Sequence, residues 1–156
     1  MYKAIYTDET MSLGLPSSRF DITSLDFDAP AARQHSRTEW EALEADEQAT
    51  GNPVQPDLSI SHGELKLLLG RNAAQLEVSK ARVSAEDCAR SAQVGGFTEA
   101  NLYNWEVKPK TILCVLTDKG NIVRAQVSRI VGGQPGLTSA PPKQIEFTVT
   151  LWNPST

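Results

Sequence analysis

Apolar and polar residues alternate most cleanly near the C-terminus, where Ile145, Phe147, Val149 and Leu151 are separated by Glu146, Thr148 and Thr150. A period of two puts those four side chains on one face of a strand ending near Trp152, and predicts that they point into a core. Two further β-rich stretches, residues 111–117 and 121–130, flank Asp118-Lys119-Gly120, which predicts a hairpin with Cys114 in mid-strand. Upstream, Leu58-Ser59-Ile60-Ser61 alternates, Gly63 turns the chain and residues 65–69 return. Gly70-Arg71-Asn72 turns it again before Leu76-Glu77-Val78, as in a meander.

Helical signals are short. Thr38-Glu39-Trp40-Glu41 offers a cap followed by acids, and Trp40, Leu43 and Glu47 share one side of a helix reaching about Gln48. Its apolar stripe is narrow, so the helix should lie on a surface, tethered by Trp40. Ser84 to Asp87 can cap a second helix that carries Cys88 and stops at Gly95-Gly96. Before residue 57 the pattern is sparse: residues 13–18 read as a loop, residues 20–28 alternate as an edge strand or arm would, and residues 49–56 with two prolines read as a linker. The chain therefore divides into an N-terminal arm with a short helix (1–56) and a β domain (57–156). The expected fold is mainly β, a single antiparallel sandwich or barrel-like domain with two short helices and an irregular N-terminal arm. Residues 132–142, rich in glycine and proline, read as an exposed excursion.

Composition narrows what such a domain can do. The 156 residues carry a formal charge of -4, so there is no basic excess to neutralise phosphates, and nucleic acid is excluded as an expected partner. No apolar run approaches the roughly 20 residues that span a bilayer, so membrane insertion is not expected. The first eight residues lack the apolar core and cleavage site of a signal peptide, which leaves a cytosolic protein or a processed, exported one. The two cysteines, Cys88 and Cys114, lack the spacing of redox or zinc motifs; they fit either one bridge or two buried thiols.

A resemblance favours export. Asp87-Cys88-Ala89, then residues 113–121 (Leu-Cys-Val-Leu-Thr-Asp-Lys-Gly-Asn), then residues 147–153 (Phe-Thr-Val-Thr-Leu-Trp-Asn), form a pattern. Residues 25–30 precede it. The pattern resembles an actinobacterial, Streptomyces-type secreted or surface β domain, and covers about two thirds of the chain. It implies an extracellular setting and a Cys88–Cys114 bridge. The match departs at Lys110, where the pattern usually has glycine ahead of the second cysteine, and this questions the local turn.

Candidate chemistry is thin. His35, in a polar stretch, and His62, at a turn, have no recognisable nucleophile beside them. With the cysteines paired, neither a thiol nucleophile nor a zinc site is expected, and no cofactor is implied. Asp21, Asp26 and Asp28 could converge with Asp57 on calcium, although Phe27 between them suggests a strand with its polar side in water. Carboxylate pairs for glycoside hydrolysis, from these residues or from Glu99 and Glu106, have no support beyond being acidic. Tyr103, Asn104 and Trp105, with Asn101 and Phe97, make up the aromatic and amide cluster; such residues stack on sugars or anchor protein interfaces, or else fill the core beside the cysteines. The expected function is a non-enzymatic, exported protein-binding or adaptor module, with another protein or a larger secreted or surface assembly as its partner. The alternatives are a carbohydrate or cell-wall binding module using Tyr103, Asn104 and Trp105, and a small hydrolase.

Overall fold

The computed structural model describes residues 1–16, 18, 20–76 and 83–154. Among these, two antiparallel sheets pack face to face. The first has the order β1-β10-β9-β8-β6, from Tyr2–Gly14, Gln144–Pro154, Ile122–Val131, Ile112–Leu116 and Asn72–Leu76. The second has the order β3-β2-β4-β5-β7, from Ala31–His35, Ile22–Asp26, Leu58–Ser61, Glu64–Leu67 and Glu99–Asn101. Helix α1 is Arg37–Thr50 and α2 is Ala85–Val94. The arrangement is the expected β-sandwich with two short helices.

Alternation decides what each strand buries. Ile145, Phe147, Val149 and Leu151 of β10 all enter the core between the sheets, where they meet Leu113 and Val115 of β8, Val123, Ala125 and Val127 of β9, and Leu25, Leu58, Ile60 and Leu65 of the second sheet. The intervening residues of β8 and β9 face outward. There Ile112, Cys114 and Ile122 pack under Cys88, Ala89 and Ala92 of α2, forming a second apolar cluster. Ser84 caps α2 by accepting from the Asp87 N–H, and Gly95 ends it with φ 78°. Cys88 and Cys114 are bridged, with Cα atoms 5.0 Å apart and 26 residues between them in sequence. The helix is thus bolted to the middle of the sheet.

The segment 1–56, expected as an irregular arm, supplies three strands and α1, with β1 in the first sheet and β2 and β3 in the second. Strand β1 pairs with β10 from Tyr2 opposite Pro154 to Gly14 opposite Gln144, with register shifts between Ala4 and Glu9, and Asp8 has φ 52° in that interval. Its apolar pattern is sparse because it is an edge strand: only Met11 and Leu13 of the thirteen residues are buried. Strand β2 is interior, lying between β3 and β4, and not the edge strand its pattern suggested. All five of its residues are buried. The cap of α1 is Ser36, two residues earlier than expected. Its hydroxyl accepts from the Glu39 N–H and Glu39 reaches back to the Ser36 N–H, a capping box. These hydrogen bonds hold the Glu39 carboxyl below its ordinary pKa. Trp40 is the one buried side chain of α1, as its narrow stripe implied.

The meander is shorter than its pattern suggested. Strands β4 and β5 form a hairpin, but β6 leaves for the first sheet and pairs with β8. The crossover is anchored by Arg71, which reads as a turn residue in the sequence yet is 6% exposed. Glu77 and Val78 lie outside the described residues. Lys110, where the resembled pattern has glycine, has φ 74°, and its N–H donates to the Val127 carbonyl at 2.7 Å. The turn that glycine would favour is kept at some strain.

Candidate binding site

The aromatic cluster sits on the loop after β7. Asn101 organises it: its side-chain oxygen accepts from the Asn104 N–H at 3.2 Å, its carbonyl accepts from the Glu106 N–H at 3.2 Å, and its N–H donates to the Glu106 carboxylate at 2.6 Å. These bonds close a tight turn in which Trp105 has φ 53°. Trp105 is thereby rolled inward to 8% exposure, and its indole N–H donates to the Leu137 carbonyl at 3.3 Å. Phe97 lies in the main core, which corrects any reading of it as an exposed ligand contact: its ring is spent on packing. Tyr103 remains 44% exposed, lying across Gly63, where an added Cβ would fall 2.0 Å from the ring. Asn104 is exposed.

The excursion at residues 132–142 folds back toward this loop. Gly133 fits against the Ala140 and Pro141 carbonyls so closely that a Cβ would lie 2.4 Å from the latter, and Gln134 and Ala140 exchange a backbone hydrogen bond of 2.9 Å. Between the two loops runs an open cleft of about 660 Å³, walled by Trp105, Pro109, Ile130, Gly132, Gly133, Pro135 and Gly136, with Asn104 and Lys108 as its polar groups. Of the expected site residues, the structure brings Asn104 and Trp105 to this cleft. The sequence did not single out Lys108, Ile130 or the glycines, because their partnership depends on a long-range return of the chain.

A second cavity, of about 390 Å³, lies between α1 and the outer face of β2 and β3, lined by Ser24, Asp26, Arg33, His35, Glu39 and Leu43 among others. Here His35 Nε2 and the Ser24 hydroxyl are 2.8 Å apart, and the imidazole is tilted 55° to the Trp40 ring with ring centroids 5.1 Å apart. Burial lowers the His35 pKa from its ordinary value. Ser24 is 1% exposed, and among the described residues no carboxylate hydrogen-bonds the ring, so the pair lacks the access and the third member of a nucleophilic triad. His62 is exposed and its Nε2 lies 2.8 Å from Arg37.

The acidic residues regroup. Asp21 stays apart, accepting from Gln34 at 3.0 Å. Asp26, Asp28 and Asp57 come together: one carboxylate oxygen of each lies within 4.8 Å of the others. Asp57 is fully buried, receiving the Phe27 N–H at 2.8 Å and Arg71 Nε at 3.0 Å. Burial pushes its carboxyl up to about 7, against the pull of those two donors. Arg71 also donates to the carbonyls of Val54, Gln55 and Leu69 and pairs with Asp118 at 3.1 Å. Tyr6 donates to the Phe27 carbonyl at 2.7 Å, and burial with the nearby Asp28 and Asp57 raises its hydroxyl pKa above that of an ordinary phenol. The expected solvent-facing strand is thus wrong for Asp26, which is 5% exposed. Helix α1 and residues 54–57 cover that face of β2.

No protein-family model and no curated protein matches the sequence. Among solved structures, the chain is similar to the apo HmuY analog of Tannerella forsythia, at 8% identity over 99% of this chain and 98% of that one, with a TM-score of 0.51. A HmuY-like heme-binding protein of Bacteroides vulgatus, so described as a putative one, aligns at 13% identity over 90% of this chain and 92% of that one, with a TM-score of 0.45. The likeness to the first is one of fold: it extends over the whole sandwich, including residues 1–56. No helix of the described residues is long and apolar enough to cross a membrane.

Proposed function

We propose that this chain is a non-enzymatic binding module whose ligand seat is the cleft beside Trp105. The observation that carries the reading is the cleft itself. The loop after β7 and the glycine- and proline-rich loop at residues 132–142 hold open about 660 Å³, within the range that small ligands occupy, and the walls are mostly apolar with Lys108 at hand. Such a surface suits a small ligand with a flat apolar body and an acidic group for Lys108. Sugar stacking is less well served, since Trp105 has most of its face inside the protein. A protein partner is a second reading, favoured by Tyr103 and Leu137, each 44% exposed on the two cleft loops. An exported setting agrees with the disulfide.

Titration of the protein with aromatic and aliphatic carboxylic acids and with haem, followed by tryptophan fluorescence and calorimetry, tests this. Lys108→Glu should weaken an acidic ligand about tenfold, as expected for a charge-assisted contact turned repulsive. Haem has an added diagnostic: the cleft lining offers no His, Met or Cys, whereas the second cavity offers His35. A Soret shift lost in His35→Ala and kept in Lys108→Glu would move the seat to the His35 cavity. No response from any ligand, with capture of a protein through Tyr103, would favour the second reading.

A further inference from the structure

We propose that Asp26, Asp28 and Asp57 form a binding site for a divalent cation, calcium by its ligand chemistry. The site lies at one end of the sandwich, where the end of β2, the turn after it and the residue before β4 meet the β8–β9 hairpin. Most of the carboxylate oxygens have donors. Asp26 Oδ1 accepts from the Asp28 N–H at 3.0 Å, Asp28 Oδ1 accepts from the Thr117 hydroxyl at 3.2 Å and the Asn121 amide at 2.6 Å, and both oxygens of Asp57 are engaged. Two oxygens remain. Asp26 Oδ2 and Asp28 Oδ2 are both inaccessible to solvent and have no hydrogen-bond partner.

An unpaired buried carboxylate oxygen is costly, and here two occur in one cluster on a side chain that is 95% buried (5% exposed) and its neighbour. Charge points the same way. Three carboxylates face one buried guanidinium, Arg71, which leaves at least two negative charges over, and Arg71 is itself shared with Asp118. A divalent cation balances that excess where a proton balances half of it. The donor set is all oxygen, with no His or Cys within it, which selects a hard cation over zinc or copper. Calcium is favoured over magnesium because it accepts irregular carboxylate geometry and gives up its water more readily. Thr117 and Asn121, which hold Asp28 in place, come from the opposite sheet, so occupation would tie the two sheets together.

Terbium luminescence with calcium competition, and calorimetry with calcium and with magnesium, test the site on the wild-type chain. One ion should bind per chain, with calcium displacing terbium and a Kd of about 10⁻⁴ to 10⁻³ M, as in extracellular modules. Magnesium should bind at least about tenfold more weakly. Asp26→Asn should lower calcium affinity by about tenfold or more, and Asp46→Asn, on the exposed face of α1, should leave it unchanged. Thermal unfolding adds a crossover: in chelator, Asp26→Asn should melt above wild type, since it removes an uncompensated charge, and in calcium the order should reverse. Failure of wild type to bind terbium or calcium overturns the proposal, whatever the variants do. Binding that survives Asp26→Asn at full affinity overturns it too.

Discussion

On the outer face of the first sheet, α2 is joined to β8 by the Cys88–Cys114 bridge inside an apolar cluster of Ala89, Ala92, Ile112 and Ile122. At the end where the sheets meet, Asp57 and Arg71 hold residues 54–57 and the β5–β6 crossover by a fully buried ion pair and three backbone carbonyls. The two fasteners do similar topological work, each pinning an excursion to a strand, but their energetics differ. The bridge acts mainly by restricting the unfolded chain and leaves no partner group in need when its surroundings are apolar. The ion pair is costly to desolvate, and is stable only while every member keeps its partner. Cutting the first should therefore cost stability through a freer unfolded chain, and cutting the second through a stranded charge in the folded one.

Arg71→Met makes the sharpest break. It would strand the Asp57 carboxylate and free the carbonyls of Val54, Gln55 and Leu69, at a cost of about 3–5 kcal/mol in urea unfolding. Adding Asp57→Leu should return part of that loss, because the stranded charge goes with it, while the Phe27 N–H loses its acceptor. If the single variant lost less than about 1 kcal/mol, within the range of a surface pair, the ionic fastener would be ornamental. Replacing Cys88 and Cys114 together by alanine, which adds no buried polar group, should cost roughly 3 to 4 kcal/mol, chiefly from the chain entropy of the loop the bridge closes. Ligand affinity at the Trp105 cleft should be unaffected, since α2 contributes nothing to its lining.

The contrast also explains what the sequence could and could not disclose. The apolar fastener was legible: the strand period at Ile145 to Leu151, the Asp118-Lys119-Gly120 hairpin, the cap at Ser84 and the stop at Gly95 are local signals, and each appears where its pattern put it. The polar fastener was not. Arg71 beside Gly70 has the look of an exposed turn, and nothing within several residues indicates that Asp57, fourteen positions earlier, will meet it. Strand β1 was hidden for a related reason, because an edge strand buries few side chains and draws its stability from backbone pairing with β10, over 130 residues away. In the candidate cleft, Trp105 and Asn104 were legible as residue types, and the walls that make them a site come from a distant loop.

Lys110 offers a smaller test on the disulfide side. It holds φ 74° two residues before the strand that carries Cys114. Lys110→Gly relieves a left-handed conformation worth roughly 1 to 2 kcal/mol but loosens the unfolded chain. A net gain of about 0.5 kcal/mol is expected by urea unfolding, with the Lys110 N–H bond to Val127 retained in hydrogen exchange. Lys110→Ala should give no comparable gain, because alanine keeps the Cβ that makes the conformation costly.

The smallest effect belongs to His35, between α1 and the polar face of β2. Burial lowers its pKa in the folded chain below the ordinary value of 6.5. The unfolded chain therefore takes up a proton first as pH falls, and the stability that neutral His35 contributes is present above about pH 6.5 and lost on acidification through the folded pKa. Asp57, raised to about 7, works in the opposite sense, since the folded chain takes up its proton before the unfolded one does. Comparing wild type with His35→Gln removes that background. Wild type should lose more stability than the variant between pH 7 and pH 5, by an amount limited by the partial exposure of the ring. NMR titration of the imidazole should give a midpoint below 6.5, and below it both ring nitrogens carry protons, so that Nε2 donates to the Ser24 hydroxyl. A midpoint at or above 6.5 would mean that water in the cavity under α1, together with the Glu39 carboxylate, offsets the burial of the ring.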